Sequence, residues 1–552
     1  MSSLITDVEL VGAGWAAFGT TQARGSAHLG ERYLAAADMA ELLDACSTEL
    51  DWQSTLARLN GCLAVISRRG PVVLAAVDRL RTMPLFYSDA GGRRLVSDSA
   101  HRIRDGHDSW KIEPVADVEF QSTGYVTGAD TLVAGLRQLQ AGEVLRWDAQ
   151  ATGGPERWQY FQSRHGDYVV DAVPDLVSQL DRVHRSVFRR LVQSAGDRTI
   201  VVPLSGGYDS RLIGVSLRDL GVRDVVCYSY GLSGNWEAGI SRELARYLGF
   251  RWEFVPYSPQ QWRTWAATAS FKTYCRFAGN LTSVPHIQDW PAVAELHRGQ
   301  RIPPGSIFVP GHSGDFVAGS HIPRQFMGRR SIPRREVLDS VLRSHYSLWQ
   351  WPAPGRHELA DEFDKRIESI VGTISQCSPE TAADLFERWD LQERQAKFIC
   401  NSVRVYEDFG YEWRLPLFDH ELMNFWARIP VELRVGRKLY LRYVQERQHL
   451  PVTSANTDHN RFMAALVRGI DAAGLKPLAQ RAQRSYRAMR WRRDYETSSL
   501  GWNSIVDREY FRRTYTGTQI LHSYLTLAYR DSVVESIDRV PGRQIIPALC
   551  SG

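Results

Sequence analysis

Leu204-Ser205-Gly206-Gly207-Tyr208-Asp209-Ser210 closes a buried-type strand, Thr199 to Leu204, and precedes a helical pattern marked by Leu212, Val215 and Leu217. Paired glycines let the backbone turn sharply and approach a ligand closely. The helix start beyond them offers free N–H groups and the positive end of a dipole. Ser205 and Ser210 add hydroxyl donors suited to phosphate oxygens. Asp209 would repel a bare polyanion, so its place in the turn implies a divalent cation between carboxylate and phosphate. A Gly-Gly pair alone is an ordinary turn, whereas the whole S-G-G-x-D-S string between strand and helix points to phosphate binding. It is not a Walker A loop, because GxxxxGK[ST] is missing.

Outward from this turn the chain alternates strand and helix. Leu176, Leu180, Val183, Val187 and Leu191 recur at helical spacing before it. After it come a strand at Val225–Ser229, a helix over Glu237–Leu248 and a strand at Trp252–Val255. That order predicts a parallel α/β sheet, with a mostly helical region beyond Arg335. Residues 1 to about 165 read differently. Leu63–Ile66 and Val72–Val77 form a hairpin pattern, Phe86-Tyr87 leads into a turn at 90–92, Leu95 follows, and Val144–Trp147 closes the series, with a helix predicted from Ala35 to Leu50. Short runs bounded by glycines predict an antiparallel system.

Composition narrows the class. The 552 residues carry 23% charged and 43% hydrophobic side chains, a globular balance that excludes disorder over most of the length. The longest purely apolar runs, such as Val72–Val77, fall far short of a membrane span, and the first residues have neither a basic n-region nor an h-region. Cysteines 46, 62, 227, 275, 377, 400 and 550 show no paired spacing, which predicts a reducing, cytoplasmic setting. His107, His312 and His321 lack metal-ligand spacing, so no zinc is expected. A net charge of +5 spread over this length does not imply nucleic acid. Arg481, Arg484, Arg487 and Arg490, continued by Arg492 and Arg493, form a basic stripe, read first as a solvated or internally paired helix and second as a face for an anionic partner.

The 204–210 string resembles the pyrophosphate loop of the ATP-pyrophosphatase superfamily, whose members cleave ATP between the α and β phosphates. Further motifs narrow the resemblance to asparagine synthetases and their relatives. Gly311-His312-Ser313-Gly314-Asp315 through Gly319 is similar to G-E-G-x-D-E-x-x-x-G. Glu412-Trp413-Arg414-Leu415-Pro416-Leu417-Phe418-Asp419 is similar to E-x-R-x-P-F-L-D, and Lys438 to Arg442 is similar to K-x-x-L-R. In the first half Leu59 to Ala64, Asp78-Arg79 with Pro84 to Tyr87, Gly124-Tyr125, Thr131-Leu132 and Gln138 to Gly142 are similar to that family's amidotransferase domain.

The resemblance implies an N-terminal Ntn-hydrolase-like αββα sandwich plus a C-terminal parallel-sheet ATP-pyrophosphatase (adenine nucleotide α-hydrolase-like) domain with a helical extension. The implied domains are 1–165, a degenerate class II glutamine amidotransferase, and 170–552, the synthetase. ATP and Mg²⁺ are the implied cofactors. Leu204, Ser205, Gly206, Gly207, Asp209, Ser210, Tyr230, Gly231 and Gly311 would hold the nucleotide, Asp209 and Asp315 the metal. Lys438 would stabilise charge at the α-phosphate. Glu412 would assist the amine, with Tyr406 and Tyr411 both candidates for its partner. The implied reaction adenylates a carboxylate and passes it to ammonia or an amine, as in amino-acid biosynthesis. The partners are a small molecule or peptide bearing the carboxylate and an amine donor, without nucleic acid or membrane, and with a homodimer left open.

Position 2 is Ser2, where the glutaminase members expose a cysteine, so glutaminase activity is not expected. The β-lactam synthetases and lasso-peptide cyclases of the superfamily also lack that cysteine. His312 and Phe316 stand where asparagine-forming members have acids, which puts free aspartate in doubt as substrate. The alternatives are a cyclase or tailoring enzyme for a specialised metabolite, peptide or surface polysaccharide, and a non-catalytic ATP-binding scaffold.

Overall fold

The computed structural model describes residues 6–107, 109–351, 355–448, 491–496, 498, 500–516, 519–538 and 545–546. Ser2, Cys550 and four arginines of the basic stripe (481, 484, 487, 490) lie outside these residues, whereas Arg492 sits over the Trp491 ring.

The first half is built on two sheets. One has seven strands, running in space Glu156–Gln159, Glu143–Asp148, Val72–Val77, Asn60–Arg69, Thr21–Leu29 and Trp15–Phe18, with Arg32–Ala35 also on Thr21–Leu29. The other orders Thr6–Glu9, Arg94–Ser97, Phe86–Ser88 and Arg137–Gln138. Strand alternation sorts their side chains. Leu63, Val65, Leu74 and Ala76 pack with Trp52, Met39 and Leu43 of the helices on one face. Ala64, Ile66, Val73 and Ala75 pack with Phe86, Tyr87, Leu95 and Val96 of the smaller sheet on the other. The helix expected over 35–50 is two helices, Ala36–Asp44 and Glu49–Arg58. Thr48 breaks the run by accepting a hydrogen bond from the Asp51 N–H, an N-cap that starts the second helix.

The second half opens with the helix Val173–Ala195 and contains a five-stranded, all-parallel sheet. Its spatial order is Arg251–Tyr257, Val225–Leu232, Ile200–Pro203, Ile307–Phe308, Glu412–Trp413. Numbered along the chain this is 3-2-1-4-5, so the order reverses between Ile200–Pro203 and Ile307–Phe308. Loops leaving the carboxyl ends of two such neighbours diverge and leave a crevice between them. The fifth strand, two residues inside an otherwise helical stretch, is one the sequence pattern does not announce.

The halves share packing. The largest hydrophobic cluster runs from Ala64 through Val202 and Phe308 to Ile546. Lys397, fully buried, donates to the carbonyls of Val126 and Gly128 and pairs with Glu393 at 2.5 Å. Among the described residues no helix is long and apolar enough to cross a membrane, and the six described cysteines are unpaired.

Candidate active site

The switch point is where the sequence-distant motifs meet. Leu204 is buried at the end of its strand, its N–H donating to the Tyr228 carbonyl at 2.9 Å. The turn then folds on itself. Ser205 N–H donates to Ser210 Oγ at 3.1 Å, the two hydroxyls lie 3.0 Å apart, and Gly207 N–H donates to Ser205 Oγ at 3.1 Å. Arg211, on the next helix, donates to the Gly206 carbonyl at 3.1 Å. The helix Tyr208–Asp219 starts with Asp209 in its first turn.

The second loop packs directly on the first. A Cβ at Gly311 would stand 2.8 Å from the Ser210 nitrogen, and one at Gly314 would stand 2.9 Å from the Asp209 carboxyl carbon. At Gly311 the clash is with backbone, so glycine is required for the close approach; at Gly314 it is with the Asp209 and Leu417 side chains. The Asp315 N–H donates to Asp209 Oδ2 at 3.2 Å, across 106 residues of chain. Tyr440, on the helix Lys438–Gln448, donates its hydroxyl to Asp209 Oδ1 at 2.5 Å. Burial, with the negative charge of Asp315 added, pushes the Asp209 carboxyl up to about 6 against that hydrogen bond and the nearby Arg437 charge. Two neighbouring acids, one of them destabilised as an anion, are a donor set that a hard divalent cation relieves. Mg²⁺ fits these oxygen ligands. No group of three acids, histidines or cysteines is arranged to hold a metal among the described residues, so phosphate oxygens and water would complete the shell.

Tyr230 and Gly231 lie at the carboxyl end of Val225–Leu232, on the same edge as the turn. The Tyr230 ring stacks on Tyr257 at 5.2 Å, and Ser229 Oγ donates to the Leu204 carbonyl at 2.6 Å. His312 is half-buried beside Asp315's loop, with Ser402 Oγ 3.1 Å from Nε2. Desolvation pulls its imidazole down to about 4.

Two expected residues are placed otherwise. Glu412 pairs in register with Ile307, which pairs with Ile200, so it sits at the amino ends of the strands, away from the phosphate turn. There it bonds Arg198 at 2.6 Å and Arg414 at 3.0 Å and faces a cavity lined also by Arg24, Tyr33 and Cys62. Neither tyrosine candidate reaches it: Tyr406 donates to Asp289 and Tyr411 lies 3.1 Å from His297 Nδ1. A parallel strand fixes this outcome, because its register decides which end of the sheet each residue occupies. Lys438 is exposed at the first turn of its helix. Residues two apart project about 200° apart on a helix, so with Tyr440 seated on Asp209 the Lys438 side chain is not directed at that carboxylate. Arg437, at φ +63°, is the cation whose charge acts on Asp209. Tyr440 and Arg437 were not singled out from the sequence, although both lie in or beside the K-x-x-L-R pattern.

Residues 290–526 match the asparagine synthase family model, a span that contains Asp315, Glu412 and Lys438. These residues are similar to the asparagine synthase family. A probable glutamine-hydrolysing asparagine synthetase of Acanthamoeba polyphaga mimivirus is 32% identical over 104 residues, which is 18% of each chain. The matched part is thus under a fifth of that relative's length. Among solved structures, the allosteric regulatory enzyme of purine biosynthesis is 13% identical, covering 42% of this chain and 60% of its own, with a TM-score of 0.18. The glutamine phosphoribosylpyrophosphate amidotransferase of B. subtilis, complexed with ADP and GMP, is 10% identical over 53% and 61%, with a TM-score of 0.17. The 311–319 loop lies inside the matched span and the 204–210 turn outside it.

Proposed function

We propose that the chain is an ATP-dependent, AMP-forming ligase that joins a carboxylate to a nitrogen nucleophile. The observation that carries this is the 3.2 Å bond between Asp315 and Asp209 at the sheet's switch point. The 205–210 turn and the start of the Tyr208–Asp219 helix cradle the β and γ phosphates. Asp209 and Asp315 hold Mg²⁺, which when bound neutralises phosphate charge. Tyr440 fixes the Asp209 rotamer. Gly311 lets the second loop close on the first, while Leu204, Tyr230 and Gly231 border the adenine. Arg437 supplies the nearest fixed positive charge, and Lys438 reaches the α-phosphate once nucleotide fills the crevice. In the first step a carboxylate oxygen of the substrate attacks the α-phosphorus and the α–β bond breaks, releasing pyrophosphate. In the second a nitrogen lone pair attacks the acyl carbon and AMP departs.

The first half, 1–165, is proposed as an Ntn-like sandwich without glutaminase activity, and 170–552 as the synthetase unit. A neutral His312 held by Ser402 favours an acceptor other than free aspartate and ammonia, because it places an imidazole where the asparagine-forming members present an acid. Glu412, bound into its arginine pairs, is withdrawn from amine activation in this reading.

The test is pyrophosphate release from Mg·ATP with a panel of carboxylates and amines. Asp209→Asn is expected to abolish it, and glutamate release from glutamine is expected at background in the wild type. Pyrophosphate release that persists in Asp209→Asn would sink the assignment.

A further inference from the structure

Asp315 is delivered by a loop with a conformational burden. Ser313, just before the four-residue helix Gly314–Val317, has φ +61°, a left-handed conformation that non-glycine residues adopt at a cost. Something must hold it there. Its hydroxyl donates to Gln395 Oε1 at 2.5 Å, and the Gln395 amide donates to Asp390 Oδ1 at 2.9 Å. The other oxygen of Asp390 lies 2.6 Å from Nδ1 of His321. Ser313, Gln395 and Asp390 are all buried. His321 is on the far side of Asp315 in the chain, where its ring meets Phe316 edge-on, and the Ser320 N–H donates to the Asp315 carbonyl at 3.0 Å. Both flanks of the metal-facing aspartate are therefore tied to one buried carboxylate.

The geometry of the anchor is unusual. Asp390 ends an α-helix, Pro379–Asp390, and Gln395 lies in the nine-residue π-helix Leu391–Ile399 that continues it. In an α-helix residues five apart project about 140° from one another. The wider i→i+5 turn of a π-helix sets them on one face. In that widened turn the Gln395 amide reaches back to Asp390 while its oxygen faces Ser313.

We infer that the π-helix is a positioning device for Asp315, with Gln395 and Ser313 as positioning residues for Mg²⁺ in the nucleotide site. This rests on the proposed Mg·ATP reading. Partners one shell out from a metal ligand are typically worth ten- to hundredfold in metal affinity.

The experiment measures ATP binding to the full chain by calorimetry as Mg²⁺ is titrated, alongside thermal unfolding. Ser313→Gly removes the hydroxyl while suiting the left-handed backbone, so it folds as the wild type does. Gln395→Leu cuts the relay at its centre. Both variants are expected to raise the Mg²⁺ needed for half-saturation by about tenfold or more, with Ser313→Gly keeping the wild-type melting temperature. Wild-type Mg²⁺ dependence in both variants, beside its loss in Asp209→Asn, would overturn the positioning role and leave the nucleotide site standing. Failure of the wild type itself to bind Mg·ATP would overturn both.

Discussion

Gly314 has no side chain, and the space it leaves is filled by Asp209. An added Cβ would stand 2.9 Å from that carboxyl carbon and 2.7 Å from Leu417 Cδ1. Gly314→Ala is therefore expected to cost about 1–3 kcal/mol of stability by overpacking and to remove nucleotide binding, as read by denaturant melts and ATP titration. A second residue sets the acid limit. His184 is buried between Phe188 and Tyr443, stacking on the latter at 5.1 Å, with neither ring nitrogen bonded among the described residues. Burial pulls its pKa down to about 3. The folded value lies below the unfolded one of about 6.5, so the unfolded chain binds the extra proton. Stability is full above pH 6.5 and is lost as pH falls toward 3. For one such group this amounts to about 2 kcal/mol between pH 7.5 and 5. His184→Phe keeps the stack and should flatten that slope in urea melts; an unchanged slope would remove His184 as a cause. His345, His420 and His522, each held near 4 by burial, act in the same direction.

At the level of elements, the helix Lys438–Gln448 decides which cation serves the site. Tyr440 points it at Asp209, and the same rotation directs Lys438 away from that carboxylate while the Arg437 charge acts on it. Arg437→Ala is expected to weaken Mg·ATP binding itself. Lys438→Ala is expected to spare binding and lower the rate of pyrophosphate release, by roughly 10²-fold for a lost transition-state contact. Single-turnover kinetics beside binding titrations separates these, and equal effects of the two variants on binding would show that the helix does not sort them.

For the whole molecule, the joint between halves is part of the core. Lys397 is fully buried, and its ammonium holds two carbonyls of the first half and Glu393 of the second. Lys397→Met leaves the Glu393 carboxyl without its cation, with only the Gly128 N–H at 3.2 Å still donating to it, which costs about 3–5 kcal/mol when a buried pair is broken. The expected outcome is cooperative loss of both halves in one transition, read by near-UV circular dichroism and by limited proteolysis. Retention of one half as a folded, protease-resistant unit would show that the halves are independent.

Much of this was legible along the chain. The strand–turn–helix at 199–210, the parallel order that follows, and the hairpin Leu63–Val77 all depend on local periodicity and glycine placement, which neighbours in sequence fix by themselves. Strand Thr21–Leu29 was not legible, since Thr-Gln-Ala-Arg-Gly-Ser-Ala-His-Leu is poor in β-branched residues and owes its conformation to pairing with Asn60–Arg69. Asp209 stood out from the chemistry of its glycine turn, whereas Asp315 was named by the resemblance of its loop to the asparagine synthetase motif. Which end of the sheet Glu412 occupies, that Tyr440 seals Asp209, and that Gln395 reaches Ser313 were decided only in three dimensions. Strand register, helix rotation and a widened helical turn are relations between segments 82 to 231 residues apart or between turns of one helix, and no spacing along the chain encodes them.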